Sequence, residues 1–317
     1  MTLRELMGNG APEVTVSGLA YSSQSVTPGT LFFCVHGFRV DGHDFAPQAV
    51  ERGAVALVCQ RPLGLGVPEL VVPDVRAAMG PAAARFHGDP TRQLDVVGIT
   101  GTNGKTTTAF LVRHLLEASG RRTGLLGTVK RVVGGVEEDV ERTTPEAIDL
   151  QATFRRMLDA GDGACVMEVS SHALELGRTA GIHFACRVFT NLTQDHLDFH
   201  ESMDSYFAAK RRLFEGPGPA VINVDDPWGR TLAAEVGGTT FAVGRDADYR
   251  ARDVRFDFGG SSFVCETPEG SLELRSPLPG VFNVQNVLAA VAAARSLGVS
   301  LDTADAALPE FGRVPGR

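Results

Sequence analysis

The segment at residues 94–107 constrains the fold most, because an apolar run, LDVVGIT, leads directly into the glycine-rich run GTNGKTT. An apolar segment with helical spacing follows and ends at Gly120. In such a strand–loop–helix unit, glycines let successive backbone N–H groups face a phosphate, and the helix start adds a favourable dipole. The pattern predicts an ATP-binding phosphate loop, with candidate residues Gly101, Thr102, Asn103, Gly104, Lys105, Thr106 and Thr107.

The loop departs from the strict GxxxxGK[ST] spacing. Ile99 stands where the first glycine is expected, and the nearest glycine is Gly98. Lys105 is placed to supply positive charge to the β and γ phosphates, and the hydroxyl of Thr106 can bind Mg²⁺. The alternative is a glycine-rich turn that only begins a helix, but the flanking strand and helix favour phosphate binding.

The chain of 317 residues is long enough for two domains. A helical stretch from Val75 to His87 ends in Gly88-Asp89-Pro90, which marks a boundary near residue 93. We expect an α/β fold: a small mixed α/β domain at 1–93, and a central P-loop domain at 94–312 with a mostly parallel sheet flanked by helices. The strands of that sheet are expected at 95–100, 164–169, 185–190 and 220–224.

Composition limits the classes of partner. A formal net charge of −8 provides no broad basic field for nucleic acid, so anionic ligands must use local sites. The five cysteines include no CxxC pair, which argues against a zinc ribbon or a disulfide framework. No apolar leader or stretch of membrane-spanning length is present, so we expect a cytoplasmic protein without membrane insertion. We also expect the protein to be a monomer.

The segment TGTNGKTT after such a strand resembles the Mur ligases and the folylpolyglutamate synthetases. The run CVMEVSSH at 165–172 is similar to the Mur ligase strand whose glutamate binds Mg²⁺, which gives that role to Glu168. A carboxylate at the end of an apolar strand is itself costly to bury without a cation nearby. The alternative for Glu168 is a solvated residue at a strand end.

Two further segments extend the resemblance. TNLTQDHLD at 190–198 is similar to the family segment whose histidine contributes to a second Mg²⁺ site, here His196. The spacing of His196 and His200 would also suit zinc, but the sequence provides no further ligands for it. YFAAKRRLF at 206–214 resembles the segment whose lysine is carbamoylated by CO₂, here Lys210. A carbamate can bind Mg²⁺ where an ammonium cannot, whereas without the resemblance Lys210 would be interpreted as a solvated helix charge.

Several segments resemble the UDP-sugar side of the tripeptide-synthetase (MurE-like) branch of this family. SSQSVTPGTLF at 22–32 is similar to the family's DSR…PGDLF segment, with SSQ in place of DSR, and GFRVDG at 37–42 is similar to its G…DGH loop. Leu176 stands where some relatives have glutamine. The resemblance implies that the substrate-binding residues are Ser23, Thr143, Thr144, Ser170 and Arg178.

The C-terminal part continues the match. LPGVFNVQN at 278–286 resembles the Mur segment whose second asparagine, here Asn286, contacts ATP, while Asn283 also suits a helix N-cap. Residues 313–317 resemble the family's hinge, in which Arg317 would contact ATP. We expect the chain to end there, before a C-terminal domain that closes over ATP, and so to ligate poorly or not at all.

The resemblance implies an ATP-dependent amide ligase of peptidoglycan synthesis. Its substrates would be UDP-N-acetylmuramoyl-L-alanyl-D-glutamate and an amino acid, joined through an acyl phosphate with ATP, Mg²⁺ and a carbamate on Lys210. A folylpolyglutamate-synthetase-like ligase is disfavoured by the uridine-like segment and by Thr106-Thr107. A non-catalytic nucleotide-binding module is the alternative from another class.

Overall fold

The computed structural model describes residues 1–8, 10–37, 40–140, 142–195, 199–312 and 314. The chain forms two compact units. The first unit comprises Met1–Pro90, Pro145–Arg155 and Leu176–Ile182, and the second comprises Thr91–Thr144, Arg156–Glu175 and His183–Arg317. The domain limits expected at residues 93 and 312 stay a prediction.

The first unit contains a four-stranded sheet in which β1, β2, β3 and β4 lie side by side and parallel. Its elements are α1 (Leu3–Met7), β1 (Gly18–Ala20), β2 (Thr30–Phe33), α2 (Ala46–Glu51), β3 (Ala54–Cys59), β4 (Glu69–Val71) and α3 (Val75–Phe86). Short 3-10 turns occupy Ser23–Ser25 and Gly42–Phe45.

Local chemistry explains the limits of α3. Asp74 caps its start, because its side chain accepts hydrogen bonds from the backbone N–H groups of Arg76 at 2.8 Å and Ala77 at 3.1 Å. The helix ends just before Gly88, as the Gly-Asp-Pro sequence predicts. Gly80 lets another segment of the unit approach closely, since a Cβ there would lie 2.3 Å from the carbonyl oxygen of Ala180.

The second unit contains a large mixed sheet covered by helices. Its first half comprises β5 (Asp95–Thr100), α4 (Lys105–Ala118), β6 (Thr123–Leu126), β7 (Arg131–Val133), β8 (Val136–Glu138), the end of α5 (Ala147–Asp159), β9 (Ala164–Glu168) and α6 (Ser171–Glu175). The second half comprises β10 (Phe184–Phe189), α7 (Met203–Arg211), β11 (Ala220–Asn223), α8 (Pro227–Val236), β12 (Thr239–Ala242), β13 (Tyr249–Asp257), β14 (Gly260–Thr267), β15 (Gly270–Ser276), α9 (Val281–Ser296) and α10 (Leu301–Ala307). The 3-10 turn Pro90–Arg92 begins at the last residue of the first unit's N-terminal segment, and the turns Arg212–Phe214 and Leu308–Glu310 belong to the second unit.

The strand order determines where side chains meet. In the described part of the chain, the sheet runs β15-β14-β13-β12-β11-β10-β5-β9-β6-β7-β8. The strands from β6 to β13 in this order are parallel, whereas the pairs at both ends are antiparallel. β5 therefore lies between β9 and β10, and the carboxyl ends of these three strands share one edge, where α/β proteins bind ligands.

The core of the second unit is apolar and involves α4 and α9. Buried side chains of α4, such as Leu111 and Leu115, cluster with Val97 of β5 and with the alanine-rich middle of α9. The small side chains of α9 let it pack closely on the sheet. Both α4 and α9 begin beside the loop that follows β5. This packing fixes the start of both helices relative to that loop.

The predicted parallel α/β fold is confirmed, and the expected strands coincide with β5, β9, β10 and β11 to within one residue. The antiparallel strands β13–β15 and the hairpin β7–β8 were not predicted; of these strands, β13 and β8 are largely polar and exposed and so carry little apolar signal. All five cysteines are buried and unpaired with one another. Within the described residues, no helix has the length and apolar character needed to span a bilayer.

Candidate functional site

The glycine-rich loop joins β5 to α4, and two of its glycines have backbone angles that other residues rarely adopt. Gly101 has φ of 148° and Gly104 has φ of 86°. A Cβ on Gly101 would lie 1.9 Å from Oγ1 of Thr190, and one on Gly104 would lie 2.4 Å from Oδ1 of Asn286. Both positions therefore need glycine for conformation and for space.

Gly98 explains the departure from the strict loop spacing. It lies inside β5, not in the loop, and a Cβ there would lie 2.6 Å from the ring of Phe184 in β10. Its small size serves the packing of two neighbouring strands. The phosphate loop consequently begins only at Gly101.

The loop is held by the segment that follows β10. The side-chain oxygen of Asn191 accepts from the N–H of Asn103 at 2.9 Å, and its amide donates back to the Asn103 carbonyl at 3.0 Å. The Thr102 N–H donates to the Asn191 carbonyl at 2.8 Å. Because these two loop amides are hydrogen-bonded to Asn191, the N–H groups best placed for a phosphate are those of the first turn of α4.

Two lysines converge on one carbonyl oxygen of the loop. Nζ of Lys105 donates to the carbonyl oxygens of Gly101 and Thr102, both at 2.8 Å. Nζ of Lys210, in α7, donates to the same Gly101 oxygen at 2.9 Å. Two amine donors are therefore concentrated at the start of α4, where an anion would bind.

Lys210 is 1% exposed, so its interpretation as a solvated helix charge was wrong. Burial is the main reason that its pKa lies well below the ordinary lysine value, and the charge of Lys105 lowers the pKa further while Asp195 acts in the opposite direction. Its Nζ also lies 4.6 Å from the ring centroid of Tyr206, whose hydroxyl is 3.3 Å from Oγ1 of Thr102. Lys210 therefore extends from α7 to the loop, and both its aliphatic chain and its amine are buried.

Glu168 ends β9 and is 1% exposed, so the alternative of a solvated glutamate was also wrong. Its carboxylate accepts hydrogen bonds from Oγ1 of Thr106 at 3.0 Å and from both the N–H and the hydroxyl of Thr128, at 2.9 and 3.1 Å. Gly127 makes room for it, because a Cβ there would lie 2.6 Å from Oε1. Glu168 and Thr106, predicted as ligands of one metal, are thus in direct contact.

This donor set suits a hard cation. A carboxylate and a hydroxyl are the oxygen ligands that Mg²⁺ prefers, and it commonly completes its shell with water and phosphate oxygens. His196 lies outside the described residues, so its predicted role stays a prediction. No group of three or more His, Cys, Asp or Glu side chains with metal-binding geometry occurs among the residues that the structure describes.

Asn286, predicted to contact ATP, lies at the start of α9 beside the loop. Its Oδ1 accepts from Oγ1 of Thr108 at 3.3 Å, and its amide donates to Oδ1 of Asn283 at 3.2 Å. The N-cap interpretation of Asn283 was wrong: the cap position is Gly280, and the Asn283 amide donates to the Pro279 carbonyl. Arg317 lies outside the described residues.

An open cleft of about 370 Å³ lies between the loop and α9 in the second unit. Its walls combine amide side chains with two aromatic rings, a mixture suited to a nucleoside. The residues that line it are Asn103, Gly104, Thr107, Thr190, Asn191, Phe241, Phe282, Asn283, Gln285 and Asn286.

Three of the predicted substrate-binding residues belong to the second unit and lie at the end of β9. Oγ1 of Thr144 donates to the Glu168 carbonyl at 2.9 Å and accepts from the Ser170 N–H at 3.2 Å. Oγ1 of Thr143 is 3.1 Å from Oγ1 of Thr128. The threonine pair is therefore fixed to the backbone that carries Glu168.

The other two, Ser23 and Arg178, belong to the first unit. Oγ of Ser23 donates to Oε1 of Gln48 at 2.7 Å. Arg178 forms an ion pair with Glu146 at 2.9 Å, and Arg76 pairs with the other oxygen of the same carboxylate at 2.8 Å. In the loop at 37–42, Asp41 accepts from the backbone N–H of His43 at 3.0 Å, and Phe38 and Arg39 lie outside the described residues.

Sequence reasoning missed Glu146, which is 4% exposed between its two arginines. We expect Glu146→Ala to lower the free energy of unfolding by about 3–5 kcal/mol, because two partly buried guanidinium groups lose their shared carboxylate. Urea denaturation measures the change. Glu137→Ala, which removes only an exposed pair with Lys130, is the matched control and should change stability by about 0–1 kcal/mol. Equal losses in the two variants would contradict the prediction.

Comparison with known proteins gives two family matches: the "Mur ligase middle domain" over residues 99–294, and the "Mur ligase family, catalytic domain" over residues 15–87. UDP-N-acetylmuramoyl-L-alanyl-D-glutamate--2,6-diaminopimelate ligase of Geobacillus thermodenitrificans is 46% identical over 97% of this chain. The enzyme of the same name from Syntrophomonas wolfei is 41% identical over the whole chain. This chain spans 65% of the first relative's length and 68% of the second's.

A solved structure of a UDP-N-acetylmuramoyl-L-alanyl-D-glutamate--2,6-diaminopimelate ligase superposes on the whole chain with a TM-score of 0.89 at 29% identity. The chain covers 68% of that structure. The likeness therefore includes both units, and the arrangement of β5, β9 and β10 that carries the site belongs to a known ligase fold.

Proposed function

Because this chain belongs to the Mur ligase family, we propose that it catalyses the ATP-dependent addition of an amino acid to UDP-N-acetylmuramoyl-L-alanyl-D-glutamate. One observation carries the proposal: Lys105, Lys210 and the Thr106–Glu168 pair all belong to, or directly contact, one loop at the edge of the sheet. We propose diaminopimelate as the amino acid, because the similar enzymes are named for it.

The proposed reaction has two steps. The glutamate side-chain carboxylate of the substrate attacks the γ-phosphorus of ATP, and the bond from that phosphorus to the β–γ bridging oxygen breaks. The products of this step are ADP and an acyl phosphate. The neutral amine of the incoming amino acid then attacks the acyl carbon, loses a proton, and expels phosphate. Two anions meet in the first step, so the site must supply positive charge around the transferred phosphoryl group.

Lys105 supplies that charge from the start of α4, where the helix dipole acts in the same direction. Its amine donates to two backbone carbonyls, from which a phosphate would draw it with a stronger, charge-assisted hydrogen bond. The hydroxyl of Thr106 and the carboxylate of Glu168 would hold Mg²⁺, with His196 as a further ligand. When bound, the cation neutralises phosphate charge and orients the γ-phosphoryl group.

Lys210 is proposed to act as a carbamate. The carbamate forms when a neutral amine attacks CO₂ and loses a proton, and the enclosed position of Lys210 favours the neutral amine. The product is an anionic pair of oxygens beside the loop, which matches the ligand preference of Mg²⁺. An unmodified ammonium at this position would add to the charge of Lys105 and could not bind a metal ion.

The substrate side is proposed from Ser23 and Arg178 in the first unit and from Thr143, Thr144 and Ser170 in the second. Arg178 is suited to a carboxylate of the muramoyl-dipeptide, because Glu146 holds its guanidinium group in one place. A folylpolyglutamate-synthetase-like ligase is the second candidate. The names of the relatives and the match of residues 15–87 support the muramoyl-dipeptide substrate instead.

The test is a ligation assay with ATP, Mg²⁺ and UDP-N-acetylmuramoyl-L-alanyl-D-glutamate, run in parallel on residues 1–317 and on the complete gene product. From the complete gene product we expect one ADP and one amide product per turnover with diaminopimelate, detected by mass spectrometry, and less product with lysine or ornithine. Residues 1–317, which span 65% of the first relative's length, are expected to ligate poorly or not at all. Calorimetric binding of the UDP-sugar substrate, with folate polyglutamates as the comparison, separates the two ligase candidates. ATP and substrate binding by the complete gene product without any amide product would favour the non-catalytic module.

A further inference from the structure

Gln285 lines the nucleoside-like cleft, and its amide orientation is fixed by a carboxylate. Its Nε2 donates to Oδ2 of Asp225 at 2.9 Å. The same carboxylate also accepts from the N–H groups of Val243 at 2.7 Å and Gly244 at 3.0 Å, so every one of these contacts uses Asp225 as an acceptor. A carboxylate can accept but not donate, so the NH₂ end of Gln285 must face Asp225 and its carbonyl end must face away.

A second chain of hydrogen bonds fixes the amides of Asn283 and Asn286 in the same way. The Pro279 carbonyl accepts from the Asn283 amide at 2.8 Å, which turns Oδ1 of Asn283 towards Asn286. Nδ2 of Asn286 donates to that oxygen at 3.2 Å. Among the described residues, Oε1 of Gln285 has no hydrogen-bond partner, so the cleft presents a carbonyl acceptor in a predetermined position.

Phe282 adds a surface for a flat ring. It lines the cleft and is 81% exposed, which is unusual for a side chain of this size in a folded protein. A nucleobase that stacked on it would bring its edge to the amides of α9. The stacking itself does not distinguish one purine from another, since every base has a similar face.

We propose that Gln285, held by Asp225, selects adenine by accepting a hydrogen bond from an exocyclic amine at position 6 of the purine. A purine with a carbonyl at that position, such as hypoxanthine or guanine, would place an acceptor against an acceptor and leave both unsatisfied. The proposal rests on the proposed function for the presence of a nucleotide, and adds which residues determine the base.

The test compares ATP with ITP, which differ at position 6, by isothermal titration calorimetry in the presence of Mg²⁺. The wild-type protein should bind ATP about 10- to 100-fold more tightly than ITP, since the Gln285 carbonyl would be paired with ATP and unpaired with ITP. Gln285→Met should reduce this preference to about threefold or less, mainly through weaker ATP binding. Asp225→Asn should also reduce the preference for ATP over ITP, because an asparagine can donate as well as accept and so lets the Gln285 amide rotate to its other orientation.

Two controls separate base selection from general effects. Phe282→Ala should weaken the binding of ATP and ITP equally and so preserve the ratio of the two affinities. Gln93 is an exposed glutamine of the same unit, and Gln93→Met should change neither affinity. A full preference for ATP in folded Gln285→Met protein would overturn the inference alone. Failure of the wild-type protein to bind any nucleotide would overturn it together with the proposed function.

Discussion

Lys105→Ala is expected to lower kcat/KM for the proposed ligation by about 10³-fold or more, because the phosphoryl group to be transferred would lose the positive charge that Lys105 places at the start of α4. The fold should survive, since Lys105 lies at the start of α4, where its amine donates to the loop carbonyls of Gly101 and Thr102. Calorimetric titration with ATP and Mg²⁺ should show weaker binding, and a thermal melt should be nearly unchanged.

Lys130 provides the matched control. The chain has three lysines, and the other two, Lys105 and Lys210, both contact the Gly101 carbonyl. Lys130 is paired with Glu137 on the surface. Lys130→Ala should leave nucleotide affinity and ligation at the wild-type level. Wild-type affinity and turnover in folded Lys105→Ala protein would remove the phosphate-loop assignment and with it the proposed mechanism.

Lys210→Ala is expected to reduce the proposed ligation by about 10²-fold or more, because the site would lose the proposed carbamate, an oxygen ligand beside the loop. Short-chain carboxylates such as acetate or propionate should restore part of the activity by occupying the vacated space. Lys210→Arg should not be restored, since it keeps the positive charge and cannot form a carbamate by the same route. The measurement is initial rate against carboxylate concentration.

Removal of CO₂ tests the same assignment without a mutation. The wild-type protein in CO₂-free buffer should lose activity and regain it when bicarbonate is added, while Lys210→Ala should not respond to bicarbonate. If the wild-type rate is independent of CO₂ and folded Lys210→Glu retains full activity, Lys210 serves the fold and not the chemistry.

The sequence predicted the elements of the fold better than the contacts of the site. The P-loop, its strand and its helix were predictable because they are contiguous and carry strong apolar and glycine signals. The contacts between site residues that are distant in sequence were not predictable. Thr128 is 40 residues from Glu168, Gln285 is 60 from Asp225, and Arg76 is 70 from Glu146. Such pairs are brought together by strand order and helix packing, which local patterns do not encode.

The burial of charged residues was equally beyond local patterns. Lys210 occupies a helix whose neighbours Arg211 and Arg212 are exposed, and nothing in its immediate sequence distinguishes it from them. Only the position of α7 against the loop makes it enclosed. Glu168 is similar, because a strand that ends in glutamate is compatible with either solvent or a metal site until β6 and β9 are paired.

Under the proposed function, the shared acceptor at Gly101 would link carbamate formation on Lys210 thermodynamically to nucleotide binding. With Lys210 as an amine, two lysines donate to one carbonyl oxygen. With Lys210 as the proposed carbamate, a negative group would replace the second donor and stabilise the charge of Lys105 and of any bound cation. Coupling between two binding events is reciprocal, so nucleotide with Mg²⁺ would raise the affinity for CO₂ by the same factor by which CO₂ raises the affinity for nucleotide and Mg²⁺. Dissolved CO₂ would then act as an effector of the proposed phosphoryl transfer.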